Sequence, residues 1–145
     1  MRPRAERDYS GRSLFEKLGI FAGARVALAG RHDEDFVRAL AAEITKAPVS
    51  SLRGRYDLIF LRIDAARDLA RFTAAASHLK PAGAVWAFHP KGRGASPADA
   101  DVRAAGIAAG LVDNKISAYT DSHTATRFVI PRARRVGSVA LSRGR

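Results

Sequence analysis

Tyr56-Asp57-Leu58-Ile59-Phe60-Leu61 is the stretch that decides the fold. It is a short, almost unbroken apolar run, rich in residues that favour extended backbone, and only a strand covered on both faces needs side chains of that kind pointing both ways. Such strands occur in parallel sheets flanked by helices, so the chain on either side should alternate helix and strand. On the amino-terminal side, Ala24-Arg25-Val26-Ala27-Leu28-Ala29 reads as a second buried strand closed by Gly30, and Phe36, Val37, Leu40, Ala41 and Ile44 repeat at helical spacing over 33–45. Ser13-Leu14-Phe15-Glu16 has the form of a capping box opening a short helix that Gly19 ends.

On the carboxyl-terminal side, Leu69, Phe72, Ala76 and Leu79 mark a helix capped at Asp64 and stopped by Lys80-Pro81-Ala82-Gly83. Ala84-Val85-Trp86-Ala87-Phe88 is the next strand, with Trp86 as core. Ser96 and Pro97 open a further helix as cap and first residue, carrying Val102, Ala105, Gly106 and Ala109 on one face. Two strands, 112–119 and 124–130, flank Thr120-Asp121-Ser122-His123 and suit a hairpin. The order defines an α/β fold, a Rossmann-like, doubly wound, mostly parallel sheet with an antiparallel C-terminal hairpin. Pro48-Val49-Ser50-Ser51-Leu52 sits too close to the Tyr56 strand for a parallel crossover, and reads as an edge piece, an antiparallel strand or a loop.

At 145 residues the chain suits one domain, divided as an extension over 1–12, the α/β domain over 13–131 and a basic tail over 132–145 expected to be disordered. The absence of cysteine excludes disulfides, cysteine-zinc sites and thiol catalysis. The apolar runs are too short to span a bilayer and the first residues have no signal-like apolar core, so a cytoplasmic location without membrane contact is expected. Of the net charge of +11, the tail contributes five arginines (132, 134, 135, 143 and 145) without an acid. That run admits nucleic-acid contact through phosphates, although it lacks the aromatics of single-strand binders; a solvated tail is the plainer reading.

Two resemblances have residues behind them. The passage Leu79-Lys80-Pro81-Ala82-Gly83-Ala84-Val85-Trp86-Ala87-Phe88, feeding a strand and a closing hairpin, resembles a cut-down class I methyltransferase. From Tyr9 to about Pro131 the chain also resembles the bacterial domain of unknown function 3052 family. The matching stretches are Tyr9-Ser10-Gly11, Lys17-Leu18-Gly19-Ile20, Gly23-Ala24-Arg25-Val26-Ala27-Leu28, Trp86 with Pro90-Lys91, and Gly110-Leu111-Val112-Asp113-Asn114-Lys115. This second resemblance implies the fold and supplies no activity.

The chemistry is narrowed by what the turns contain. After the first strand a nucleotide or S-adenosylmethionine (SAM) site wants several glycines, whereas this chain has Gly30 alone, followed by Arg31-His32-Asp33-Glu34-Asp35. Those acids suit a helix start and repel a phosphate there. The residue that holds a ribose hydroxyl at the end of a second strand has no acidic counterpart near Leu52. The loop His89-Pro90-Lys91-Gly92-Arg93-Gly94 instead offers His89, Lys91 and Arg93 as donors and Gly92 and Gly94 for amides turned toward an anion. Asp113 and Lys115 form a further candidate, most simply a turn with an internal ion pair. His32 beside Asp33 and Asp35 reads as solvated surface rather than a metal site, and no Gly-x-Ser-x-Gly elbow exists. The expected function is a non-catalytic or degenerate Rossmann-like domain binding an anionic small molecule or a protein partner, with no cofactor. A minimal SAM-dependent methyltransferase and a nucleic-acid-associated protein acting through the Arg tail are the alternatives.

Overall fold

The Tyr56 run does form a strand inside a sheet. The computed structural model describes residues 12–135. In chain order it contains α1 (Arg12–Leu18), β1 (Val26–Ala29), α2 (Glu34–Glu43) and β2 (Tyr56–Arg62). A 3₁₀ turn (Ala66–Ala70) then leads into α3 (Arg71–Ser77), followed by β3 (Leu79–Pro90), α4 (Asp99–Ala108), β4 (Val112–Ala118) and β5 (His123–Val129). The five strands lie in the order β1-β2-β3-β5-β4. β1, β2 and β3 are parallel, and β5 runs antiparallel between β3 and β4. This is the mostly parallel, doubly wound sheet with an antiparallel C-terminal hairpin that the sequence implies.

Alternation along the strands divides the core in two. Val26, Leu58, Phe60, Trp86 and Phe88 face α1 and α2, where Phe15, Leu18, Phe36 and Leu40 cover them. Ala27, Ile59, Leu61, Val85 and Ala87 face α3 and α4, met by Phe72, Ala75 and Val102. Each large side chain buried this way contributes about 1.5–3 kcal/mol, so the two-sided burial of β2 and β3 anchors the domain. Trp86 is fully buried and its indole N–H donates to the Leu18 carbonyl at 2.9 Å.

That bond belongs to a complete C-cap. Gly19 takes φ +72°, its N–H reaches the Glu16 carbonyl, and the Ile20 N–H reaches Phe15. The next two carbonyls are met from far along the chain, Lys17 by the Lys115 ammonium at 3.0 Å and Leu18 by Trp86.

Several expected boundaries move, each for a visible reason. α3 ends at Ser77 and Leu79 already pairs with Tyr56, so Lys80-Pro81-Ala82-Gly83 lies inside β3 rather than stopping a helix. Gly83 is required there because a Cβ would stand 2.7 Å from the Tyr56 carbonyl oxygen and 2.9 Å from that of Asp57. Asp64 does not cap the following helix with its own side chain; the Asp68 carboxylate accepts the N–H groups of Asp64 and Ala65. α4 likewise starts at Asp99, not Pro97, because Ala98 is the last extended residue and Asp101 reaches back to its N–H. Ser13 lies within α1 instead of preceding it. The 48–52 segment is an edge piece with a single parallel bridge, Val49 to Ala27.

At the far end, residues 132–135 wind into a helical turn in which the Arg135 N–H donates to the Pro131 carbonyl and the Arg134 guanidinium donates to that of Gly110. Gly110, two residues past α4, takes φ +94° and its carbonyl accepts that guanidinium, so the described structure continues past Pro131. The remainder of the expected tail, with Arg143 and Arg145, lies outside the described residues, as does most of the 1–12 extension. Among the described residues no helix is long and apolar enough to cross a membrane.

Candidate functional site

The chain leaves β1 toward one face, where α2 packs, and leaves the adjacent β2 toward the other, where α3 packs. Adjacent parallel strands whose connections diverge open a crevice at their carboxyl ends, the usual ligand position in this architecture. Here the crevice is a cavity of about 590 Å³. Gly30 and Arg31 line it from the β1 turn, Arg62 and Asp64 from the end of β2, and Arg67, Asp68 and Arg71 from the helical segment that follows. Four guanidinium groups against two carboxylates give the lining a formal charge of +2.

The groups divide into fixed and free. Arg62 Nε donates to both Asp64 oxygens at 3.1 Å, and Arg71 Nη1 donates to Asp68 at 3.0 Å. Arg31 and Arg67 are exposed and have no hydrogen-bond or ion-pair partner among the described residues. Gly30 is essential to this geometry: it takes φ +88°, and a Cβ there would lie 3.0 Å from the Arg62 carbonyl oxygen and 3.3 Å from Arg71 Nη1.

The crevice is braced by the hairpin. His123, nine-tenths buried, bonds through Nε2 to Asp64 Oδ1 at 2.7 Å and through Nδ1 to Ser122 Oγ at 2.8 Å. Partial burial pushes the Asp64 carboxyl up, but its hydrogen bonds from His123 and Arg62 and the charge of Arg62 outweigh that and hold it below its ordinary value. On the α2 side the Tyr119 hydroxyl donates to Asp33 at 3.1 Å while its ring stacks on Phe88 at 4.1 Å. Arg62 Nη1 also stands 3.5 Å from Asp33, and Asp35 pairs with Arg38. Two of the three acids expected to repel an anion here are therefore already engaged.

His32 is not solvated surface. Its Nε2 lies 3.1 Å from the Ala29 carbonyl and 2.8 Å from that of Phe60, so it carries the proton and donates to both. The ring packs edge-on against Phe88, and burial lowers its pKa despite those two carbonyls.

The candidate residues read from the sequence separate. Gly30 lines the crevice; His89 and Asp113 line a second cavity beside α4. Lys91, Gly92, Arg93 and Gly94 form an exposed loop lining neither. Asp113 pairs with Arg103 at 3.1 Å while Lys115 bonds to Lys17, so the expected internal ion pair does not form; the bulge between Asp113 and Lys115 separates them. The four crevice arginines escaped the sequence reading. Their one linear signal is Arg67 and Arg71, four apart after the strongest strand.

The architecture is a Rossmann-like α/β fold that is also found in methyltransferases. The structure resembles magnesium protoporphyrin IX methyltransferase from Synechocystis PCC 6803 with bound SAM (TM-score 0.63, 15% identity, 88% of this chain and 81% of that one). It also resembles a S-adenosylmethionine-dependent methyltransferase from Clostridium acetobutylicum (TM-score 0.61, 9% identity, 88% and 94%). A third is the CcbJ methyltransferase from Streptomyces caelestis (TM-score 0.55, 10% identity, 86% and 90%). At these identities the likeness establishes the fold. The sequence itself matches no family model and no curated protein.

Proposed function

We propose that this domain uses the methyltransferase fold to bind a phosphate-bearing small molecule in the Gly30 crevice, without methyl transfer. The observation that carries this reading is the pair of unpartnered guanidiniums, Arg31 and Arg67, flanking a cavity already lined by Arg62 and Arg71. Arginine forks match phosphate oxygens in pairs and remain charged at any relevant pH. SAM fits this lining less well. Its sulfonium is a cation, and the ribose-holding acid has no candidate beyond Val49, which is followed by Ser50 and Ser51. The second reading, a minimal SAM-dependent methyltransferase, is favoured by the fold neighbours, one of which holds SAM. Membership of the domain of unknown function 3052 family is part of this proposal and adds no chemistry to it.

Titration calorimetry and thermal shift with pyrophosphate and with SAM separate the two readings. Pyrophosphate at a hundred times its dissociation constant should raise stability by about 2.7 kcal/mol. The Arg31→Ala, Arg67→Ala double variant should bind it at least tenfold more weakly. Low-micromolar SAM binding with no response to pyrophosphate would establish the methyltransferase reading instead.

A further inference from the structure

The edge of the sheet away from the Gly30 crevice is basic. β1, β2 and β3 begin there, and antiparallel β5 ends there. Arg25 precedes β1, Arg53 and Arg55 precede β2, Lys80 is the second residue of β3, and Arg132 and Arg134 follow β5. All of these side chains are exposed. Strands about 4.8 Å apart spread the row across about 14 Å from β1 to β5. The length of β2, Tyr56–Arg62, holds it about 20 Å from the crevice.

What fixes these groups leaves their charge intact. Arg25 Nη2 donates to the Arg53 carbonyl at 2.9 Å, with its guanidinium 4.7 Å from the centre of the Tyr56 ring. Gly54 admits it: the residue takes φ +84°, and a Cβ there would stand 3.2 Å from Arg25 Nη2. Arg55 Nη1 donates to the Ser77 and Leu79 carbonyls, each at 3.2 Å, and Arg134 donates to that of Gly110. Neutral carbonyls orient a guanidinium without cancelling it. The Arg53 and Arg132 side chains have no hydrogen-bond or ion-pair partner among the described residues. Asp57, the carboxylate within the row, is engaged by Lys80 at 3.0 Å and by the Arg25 backbone N–H at 2.8 Å. Beside the row stands Phe21, 52% exposed, whose carbonyl accepts the Ala24 N–H in the turn that leads into Arg25.

We propose that this edge binds the sugar–phosphate backbone of a single-stranded nucleic acid, whatever its sequence, with a base stacked on Phe21. A nucleic acid repeats its negative charge along a chain, and a row of cations set out at strand spacing matches that repeat better than it matches one compact anion. Guanidinium forks pair with phosphate oxygens. An exposed aromatic ring beside a basic track takes any base on its face. A duplex keeps its bases paired and has none to lay on Phe21. The arginines of the folded edge carry the contact, and the crevice takes no part in it.

The probe is a fluorescein-labelled oligothymidine of about 12 nucleotides, within the site sizes of single-strand binders. The full chain is titrated into it and followed by anisotropy at a series of salt concentrations, beside a duplex of equal length and phosphatidylserine vesicles. The oligothymidine should bind in the micromolar range at low salt, with a logarithmic salt slope of about −3 to −4 for about five phosphates. The double variant Arg53→Glu, Arg132→Glu changes exposed, unpartnered side chains; it should bind at least tenfold more weakly and flatten the slope by about 1.4. Phe21→Ala should weaken the single strand about fivefold or more and leave the duplex unchanged. Arg31→Ala, Arg67→Ala in the crevice should bind the oligothymidine as the parent does. The proposal is overturned if the oligothymidine does not bind, or if the duplex or the vesicles bind more tightly. It is equally overturned if the Arg53→Glu, Arg132→Glu or the Phe21→Ala variant matches the parent, or if the crevice variant loses binding.

Discussion

Mild acid should weaken this protein well before its carboxylates titrate. His32 and His89 both have pKa values pushed below the ordinary 6.5, in each case chiefly by burial. Phe60 and Ala29 carbonyls and Asp33 oppose the shift at His32, where Arg62 adds to it; Asp99 and the Pro90 backbone oppose it at His89, where His123 adds to it. A depressed histidine is neutral in the folded state while its unfolded counterpart takes up a proton. Stability is therefore full above about pH 7 and falls as pH drops through 6.5, until the folded-state pKa is reached. The limit for one site at pH 5.5 is RT ln(1 + 10), about 1.4 kcal/mol, or about 2.8 kcal/mol for both. Against a typical total of about 5–15 kcal/mol that is a large share. Urea denaturation at pH 7.5 and 5.5, read by the fluorescence of the single tryptophan, Trp86, measures it. His89→Gln should remove its part of the difference. Equal stability at the two pH values, or greater stability at pH 5.5, would refute the reasoning.

Gly83→Ala should cost about 2–4 kcal/mol, because its methyl must displace two β2 carbonyls and part the sheet, whereas Gly92→Ala, with open space around it, should cost only the left-handed backbone penalty of about 1–2 kcal/mol. Chemical denaturation of the two variants checks the order. Trp86→Phe should lose about 2–4 kcal/mol through the smaller ring and the Leu18 carbonyl left without its donor, while the far-ultraviolet spectrum stays native.

The strands and helices were legible wherever a run or a period is intrinsic to the segment, as at Tyr56–Leu61 and Phe36–Ile44. Legibility failed at Leu79–Gly83, where Pro81 and Gly83 have the composition of a stop but the glycine answers to the carbonyls of a neighbouring strand. It failed again at the site. Asp33, Glu34 and Asp35 were weighed as the charges around Gly30 because they are next to it in sequence; in space, Arg62, Arg67 and Arg71 stand there as well. His89 was read from the sequence as one donor in an exposed cationic loop, whereas the fold buries it. Its burial depends on β5 and α4, which no local pattern reports.

The C-terminal end of α1 has a consequence for the order of events during synthesis. Its Gly19 and Ile20 bonds can form as soon as that turn emerges, but Leu18 waits for a residue 68 positions later and Lys17 for one 98 positions later. At roughly 5–20 residues per second, the first helix spends about 3–14 seconds with its Leu18 carbonyl dependent on water, and longer for Lys17. Its apolar face, Phe15 and Leu18, has no completed sheet to cover over that interval. The first described helix is thus among the last of the described elements to be secured, and its apolar face stays open to a chaperone over that interval.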